Sequence, residues 1–125
     1  MVNVSVKRAT HREATVQAVL RLSPQAFEAL NAQTLKKGDA LTVATIAGIQ
    51  AAKRTAELIP LCHPLPLDHV DVTLTCDASR HTILVRATTA TDAKTGIEME
   101  AFVAAAVASL TLYDMVKAMD PAATI

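Results

Sequence analysis

Aromatic residues are nearly missing from this chain: its 125 residues include no tryptophan, one tyrosine and two phenylalanines. Hydrophobic residues still make up 51%, so the core has to be assembled from Ala, Val, Leu and Ile, a filling that suits close packing of elements. Net charge is missing too. Twelve basic residues balance twelve acidic ones, so bulk electrostatics draw the chain to neither nucleic acid nor a membrane surface. Cys62 and Cys76 stand alone, with no CxxC and no disulfide framework, which fits a reducing, cytosolic setting. The glycine spacing excludes a Walker-type phosphate loop. No charged start followed by an apolar run opens the chain, so no signal peptide is expected. The longest uncharged stretch is too short and too rich in Ala, Ser and Thr for a membrane span. These absences leave one soluble cytosolic domain, residues 1–125, large enough for a real core.

What is present is organised around a late helix. Ala101 to Leu112 carries no charge and is dominated by Ala, Val and Leu, with strong helical preference. Thr95 and Glu98 have the form of a capping box, which starts the helix near Gly96, and Asp120-Pro121 closes it. A helix apolar on every side belongs inside a domain or in a subunit interface. So long a dry stretch is hard to bury in one small domain, so the chain is expected to form an oligomer.

Ahead of it, Met1–Val6 alternates like an edge strand, Lys7–Glu13 reads as a polar connector, and Thr15–Leu22 reads as a half-buried strand. Ser23-Pro24 starts a short helix reaching about Asn31. Asp39 caps a second, spanning Leu41–Glu57 and ended by Pro60. Leu61–Pro66 is a proline-bracketed loop. His69–Cys76 and Thr82–Thr91 form a hairpin about the turn Asp77–Arg80, and Ala122–Ile125 begins a final strand. The order is βαββαβ, an α+β plan with helices on one face of an antiparallel sheet.

Several polar groups could carry chemistry. Lys36-Lys37-Gly38-Asp39 precedes a helix whose free N–H groups could cradle an anion, although two solvated lysines in a turn explain it as well. Gln50, Lys53, Arg54 and Glu57 fall on one helical stripe, a polar site or a wet face. The adjacent pair Cys62-His63 lacks the spaced ligands a zinc site needs and points apart for a nucleophile couple; His63 can still donate to a ligand. His11, His69 and His81 read as surface residues. Glu98 and Glu100 sit two apart, so one can cap while the other points into a cavity, although both favouring the helix N-terminus by charge is the plainer reading. Asp114 and Lys117 share a face at the end of the dry helix, an acid and a base placed for proton transfer. An ordinary surface ion pair is the plainer reading of those two.

Taken together, five segments carry a resemblance: Lys37-Gly38-Asp39, Ile46–Thr55 (IAGIQAAKRT), Leu58–Leu65 (LIPLCHPL), Thr95–Ala101 (TGIEMEA) and Leu112–Lys117 (LYDMVK). The chain resembles, over almost its whole length, the cyclic pyranopterin monophosphate synthase family of molybdenum cofactor biosynthesis. The resemblance implies a ferredoxin-like α+β fold. It implies a reaction in which a cyclised dihydroguanosine triphosphate becomes cyclic pyranopterin monophosphate and pyrophosphate leaves. It places acid–base catalysis on Asp114, Lys117 and Lys37. Substrate contacts fall on Leu61, Cys62, His63, Met99 and Glu100, and Arg12, Lys53 and Arg54 lie around the triphosphate. It implies no resident metal or cofactor, with a divalent metal accompanying the triphosphate compatible with the chemistry. It also implies a cytoplasmic homohexamer, a trimer of dimers with the active site at the dimer interface. Two departures stand out. Family members usually continue with a strand and a Gly/Lys/Ser-rich tail that can supply another basic residue, and they often carry an acid where this chain has Asn3. A catalytically silent nucleotide-binding or assembly subunit is the rival reading. Desolvation and a nearby Lys37 are expected to lower the pKa of Lys117.

Overall fold

A computed structural model describes residues 1–125. The elements are β1 (Thr10–Arg21), α1 (Pro24–Asn31), α2 (Ala40–Ala52), α3 (Thr55–Leu58), β2 (His69–Asp77), β3 (Thr82–Ala93) and α4 (Glu98–Val116). The sheet has the order β1-β3-β2 with both pairings antiparallel. Thr124 forms a single antiparallel bridge to Arg21, so the chain's end marks the outer side of β1 without becoming a strand. The expected α+β plan and the hairpin about Asp77–Arg80 are both present, in a form compatible with a ferredoxin-like fold.

Local chemistry explains several elements. Ser23 caps α1 by accepting from the Ala26 N–H at 3.3 Å, with Pro24 opening the helix. Asp39 caps α2, accepting from the Thr42 N–H at 3.1 Å and its hydroxyl at 2.6 Å. Along β1, Arg12, Ala14, Val16, Ala18 and Leu20 alternate with exposed residues, so one side faces the helices.

Several local expectations fail. Met1–Val6 is not a strand: the Asn3 side chain accepts from the Ser5 N–H at 2.9 Å, and the Lys7 N–H bonds to the Val4 carbonyl at 3.1 Å. Those turns override the alternation, and β1 begins at Thr10, inside the supposed connector. The second helix breaks at Lys53-Arg54 instead of running to Glu57. Thr95 caps nothing. The N-cap position of α4 is Ile97, with no side-chain cap, and its carbonyl accepts from the Thr89 hydroxyl at 3.0 Å. The far end of α4 comes at Val116, before Asp120; that buried carboxylate instead accepts from the Ser23 N–H at 2.6 Å. His81 is also not a surface residue: it is half-buried and meets Phe27 edge-on, ring centres 5.7 Å apart.

The core joins Leu20, Ile83 and Val85 of the sheet to Phe27 and Leu30 of α1, Ala44 of α2, and Ala104, Ala108 and Leu112 of α4. By length and apolar composition alone α4 could cross a membrane, but over half of its most apolar window is buried inside this domain, and it carries Glu98, Glu100 and Asp114. The α2–α4 crossing is tight. A Cβ added at Gly48 would stand 3.0 Å from the Ala104 carbonyl oxygen, 3.2 Å from Ala108 Cβ and 3.2 Å from Val72 Cγ2. One of these neighbours is backbone and cannot rotate away.

Replacing Gly48 therefore sets better helix propensity against overpacking, and overpacking wins. Gly48→Val is expected to cost about 2–3 kcal/mol, which in a domain of this size lowers the thermal midpoint by roughly 10 °C. Thermal unfolding followed by circular dichroism measures it; a midpoint within a degree or two of wild type would show that the helices can separate freely.

Candidate active site

The turn before α2 delivers Lys37 to the C-terminal end of α4. There the Lys37 Nζ donates to Asp114 Oδ2 at 2.6 Å and to the Asp114 carbonyl at 2.8 Å. Lys117, one turn along α4, donates to Asp114 Oδ1 at 2.7 Å. One carboxylate thus holds two ammonium groups, one on each oxygen, and all three side chains stay about half exposed. The cluster keeps a surplus positive charge. It also resolves the conflict of an acid at a helix C-terminus, because two cations now stand where the macrodipole favours them.

The hydrogen bond from Lys117, then that from Lys37, holds the Asp114 carboxyl down at about 2, against an ordinary 3.8. The same bond and charge raise Lys117 above its ordinary value and outweigh its desolvation. The expected lowering of Lys117 is therefore wrong for the free protein. Its ammonium remains half exposed, so desolvation is weak, and its nearest charge is the carboxylate rather than Lys37.

The other predicted residues gather at the opposite end of α4. Leu61, Cys62, His63, Met99 and Glu100 line one cavity of about 350 Å³. The N-terminal segment forms part of its wall: Val2 and Lys7 also line it, and His63 Nε2 lies 2.8 Å from the Val2 carbonyl oxygen. Lys53 and Arg54 line a neighbouring cavity of about 150 Å³, and Glu100 borders both. Glu100 is 4% exposed; burial, reinforced by the nearby Glu98, pushes its carboxyl pKa up, against the lowering effect of a backbone hydrogen bond. Burial, then the charges of Glu100 and Glu98, raise the Cys62 thiol, which disfavours the thiolate a nucleophile needs. Arg12 lies apart from these linings, on the helix-facing side of β1 opposite Thr91. No group of three or more His, Cys, Asp or Glu side chains is arranged to hold a metal ion.

The predicted residues thus form two groups. Asp114 follows Glu100 by fourteen residues, a separation of about 21 Å along a helix. Between the two ends run Phe102, Ala106 and Leu110, four residues apart on the exposed side of α4. Phe102 is 53% and Leu110 59% exposed. Sequence reasoning missed the part Val2 and Lys7 play in the first cavity, because alternation disguised Met1–Val6 as a strand and Lys7 read as the start of a polar connector. It also missed an apolar hollow of about 320 Å³ beside Lys37, lined by Leu35, Met115 and Met119. No local pattern marks that hollow.

The electrostatics give a direct expectation. In a carboxyl-detected NMR titration, Asp114 should titrate near 2 and move up toward the ordinary carboxylate range in Lys117→Ala. Because the folded pKa is depressed, the stability this group contributes is present above the unfolded value of 3.8. It is lost as pH falls from there toward 2 and is indifferent to pH near neutrality. An unshifted Asp114 would dissolve the cluster.

The sequence profile of the MoaC family matches residues 1–125. A cyclic pyranopterin monophosphate synthase of Oleidesulfovibrio alaskensis is 53% identical over 119 residues, covering 95% of this chain and 75% of that protein. A protein of the same name from Herpetosiphon aurantiacus is 49% identical over 125 residues, covering 100% of this chain and 76% of the relative. Molybdenum cofactor biosynthesis protein 1 of Homo sapiens is 51% identical over 119 residues, which are 95% of this chain and 19% of that longer protein. Matched along its full length and about half identical to these relatives, the chain belongs to the MoaC family.

Proposed function

We propose that the chain is a cyclic pyranopterin monophosphate synthase, a lyase that turns a cyclised dihydroguanosine triphosphate into cyclic pyranopterin monophosphate and releases pyrophosphate. Family membership supports the reaction, and one observation carries the site: a carboxylate flanked by Lys37 and Lys117 at 2.6 and 2.7 Å. Closing a cyclic phosphate while pyrophosphate departs concentrates negative charge, and two fixed ammonium groups offset it. Each ammonium has three donor protons, so each can hold Asp114 and a phosphate oxygen together. Lys117, charged in the free protein, is placed to give up a proton as the ring rearranges or the leaving group departs; Lys37 shares that task or clamps the phosphates. Asp114 positions both.

At the other end of α4, Leu61, Cys62, His63, Met99 and Glu100 contact the nucleotide-derived part of the substrate, and Arg12, Lys53 and Arg54 hold the triphosphate. The reading needs no resident cofactor, and a divalent cation, where one takes part, arrives with the triphosphate. The two groups of residues lie too far apart in one chain for a single substrate. We place them together across a dimer interface, with Phe102 and Leu110 covered by a second copy and three such dimers forming a hexamer. The cytoplasm is the setting we assign, supported by two free cysteines.

Lys37→Ala and Lys117→Ala should each lower turnover about a hundredfold or more without changing the circular dichroism spectrum. Lys117→Arg keeps the charge but cannot yield its proton; it should fall as far as the alanine variant. Near-normal turnover in Lys117→Arg would make Lys117 a phosphate clamp only.

Assembly gives an independent check. Leu110→Glu places a charge on the exposed stripe while leaving the core intact. Light scattering should then show smaller species, and turnover should drop roughly hundredfold through lost alignment of the two groups. An active monomer would overturn the shared site.

A further inference from the structure

The chain has two buried side-chain polar atoms without a hydrogen-bond partner: Arg12 Nε and Thr91 Oγ1. They belong to residues directly opposite each other in the β1–β3 register. Buried polar atoms are almost always paired, and each exception calls for a cause. The rest of the sheet shows that pairing is readily achieved here. Two residues earlier on the same side of β3, the Thr89 hydroxyl donates to the Ile97 carbonyl at 3.0 Å. On the outer face, Thr15 and Thr88 join hydroxyl to hydroxyl at 2.9 Å across the same two strands. Thr91, only 1% exposed, is the one buried hydroxyl left with nothing.

The two orphans are complementary. Arg12 Nε–H is a donor that never loses its proton, and a threonine hydroxyl oxygen accepts. Side chains directly opposite in an antiparallel pair have their Cβ atoms about 5 Å apart, so a rotation about the arginine stem can bring the two within bonding range. Because Nε is enclosed, an anion approaching from outside cannot use it. The anion must take the terminal Nη groups end-on, leaving the inward N–H for the protein to satisfy.

We propose that Thr91 is a positioning residue for Arg12: when the guanidinium engages the triphosphate through its outer N–H groups, Nε–H donates to Thr91 Oγ1, and this bond fixes the fork. The proposal rests on the reading of Arg12 as a triphosphate-binding residue. In the free protein the fork is unanchored and the bond unmade. Anion binding and the Arg12–Thr91 bond then reinforce each other, so losing the hydroxyl weakens binding at a distance from the phosphate.

The test uses the assembled protein, with inorganic tripolyphosphate as probe in isothermal titration calorimetry and the substrate in steady-state kinetics. Thr91→Val keeps the shape and the strand preference but removes the hydroxyl. It should weaken tripolyphosphate about tenfold, as expected for a hydrogen bond to a charged donor, and raise KM with little change in kcat. The thermal midpoint should hold or rise, since an unpaired hydroxyl has gone. Thr91→Ser should restore wild-type affinity within about twofold. In an Arg12→Ala background, Thr91→Val should have no further effect. Unchanged affinity in Thr91→Val, equal losses in the valine and serine variants, or additive losses with Arg12→Ala would each overturn the proposal. If Arg12→Ala itself binds tripolyphosphate normally, the role of Arg12 falls and this inference with it. If Arg12→Ala is impaired while Thr91→Val is not, only the role of Thr91 falls.

Discussion

Everything in this fold hangs on how close α2 and α4 come at Gly48. A core with one phenylalanine, Phe27, and no tryptophan cannot fill wide gaps, so its elements must approach until alanine and valine side chains touch. Gly48 permits that: the backbone of α4 at Ala104 passes where a side chain would otherwise stand, with Val72 of the sheet closing the third side. Alanines at 44 and 52 continue the contact on α2, answered by Ala104, Ala105 and Ala108 on α4. The close crossing does more than exclude water. It holds the turn before α2 beside the far end of α4, and that is the geometry that lets Lys37 reach Asp114.

The elements written in local chemistry were legible in the sequence. Ser23-Pro24 and Asp39 announce helix starts because a side-chain oxygen and a neighbouring N–H suffice to make a cap, and both caps form. The hairpin about Asp77–Arg80 is equally local; Asp77 accepts from Ser79 and Arg80 within the turn itself. The start of α4 is not legible locally because it is fixed by distant contacts. Ile97 is 1% exposed and is tied to Thr89 on the preceding strand, so the helix needs no local cap and Thr95 makes none. The first six residues mislead for the opposite reason: they alternate like a strand, but the Asn3 side chain accepts from the Ser5 N–H and makes a local turn.

The site shows the same division. Family-like segments mark out Lys37, Asp114 and Lys117 as residues of interest, yet nothing in the sequence says that one carboxylate takes both lysines, seventy-seven residues apart in the first case. That pairing follows from the α2–α4 crossing. Nor could residue types alone settle the charge of Lys117. Two lysines near each other suggest mutual repulsion and a lowered pKa, whereas the carboxylate between them reverses the sign.

This reversal bears on how such a cluster can handle a triphosphate. Asp114, with its pKa near 2, is ionised near neutral pH, so it holds the proton on Lys117 and aims both lysines before any ligand arrives. An incoming phosphate adds further negative charge and holds the proton on Lys117 more firmly still. The hold loosens only when negative charge leaves the site, and departing pyrophosphate removes most of it at once. A lysine in these surroundings is a poor base in the free protein. On the proposed reading, it becomes a better acid in step with loss of the leaving group, which is when a proton would be needed there.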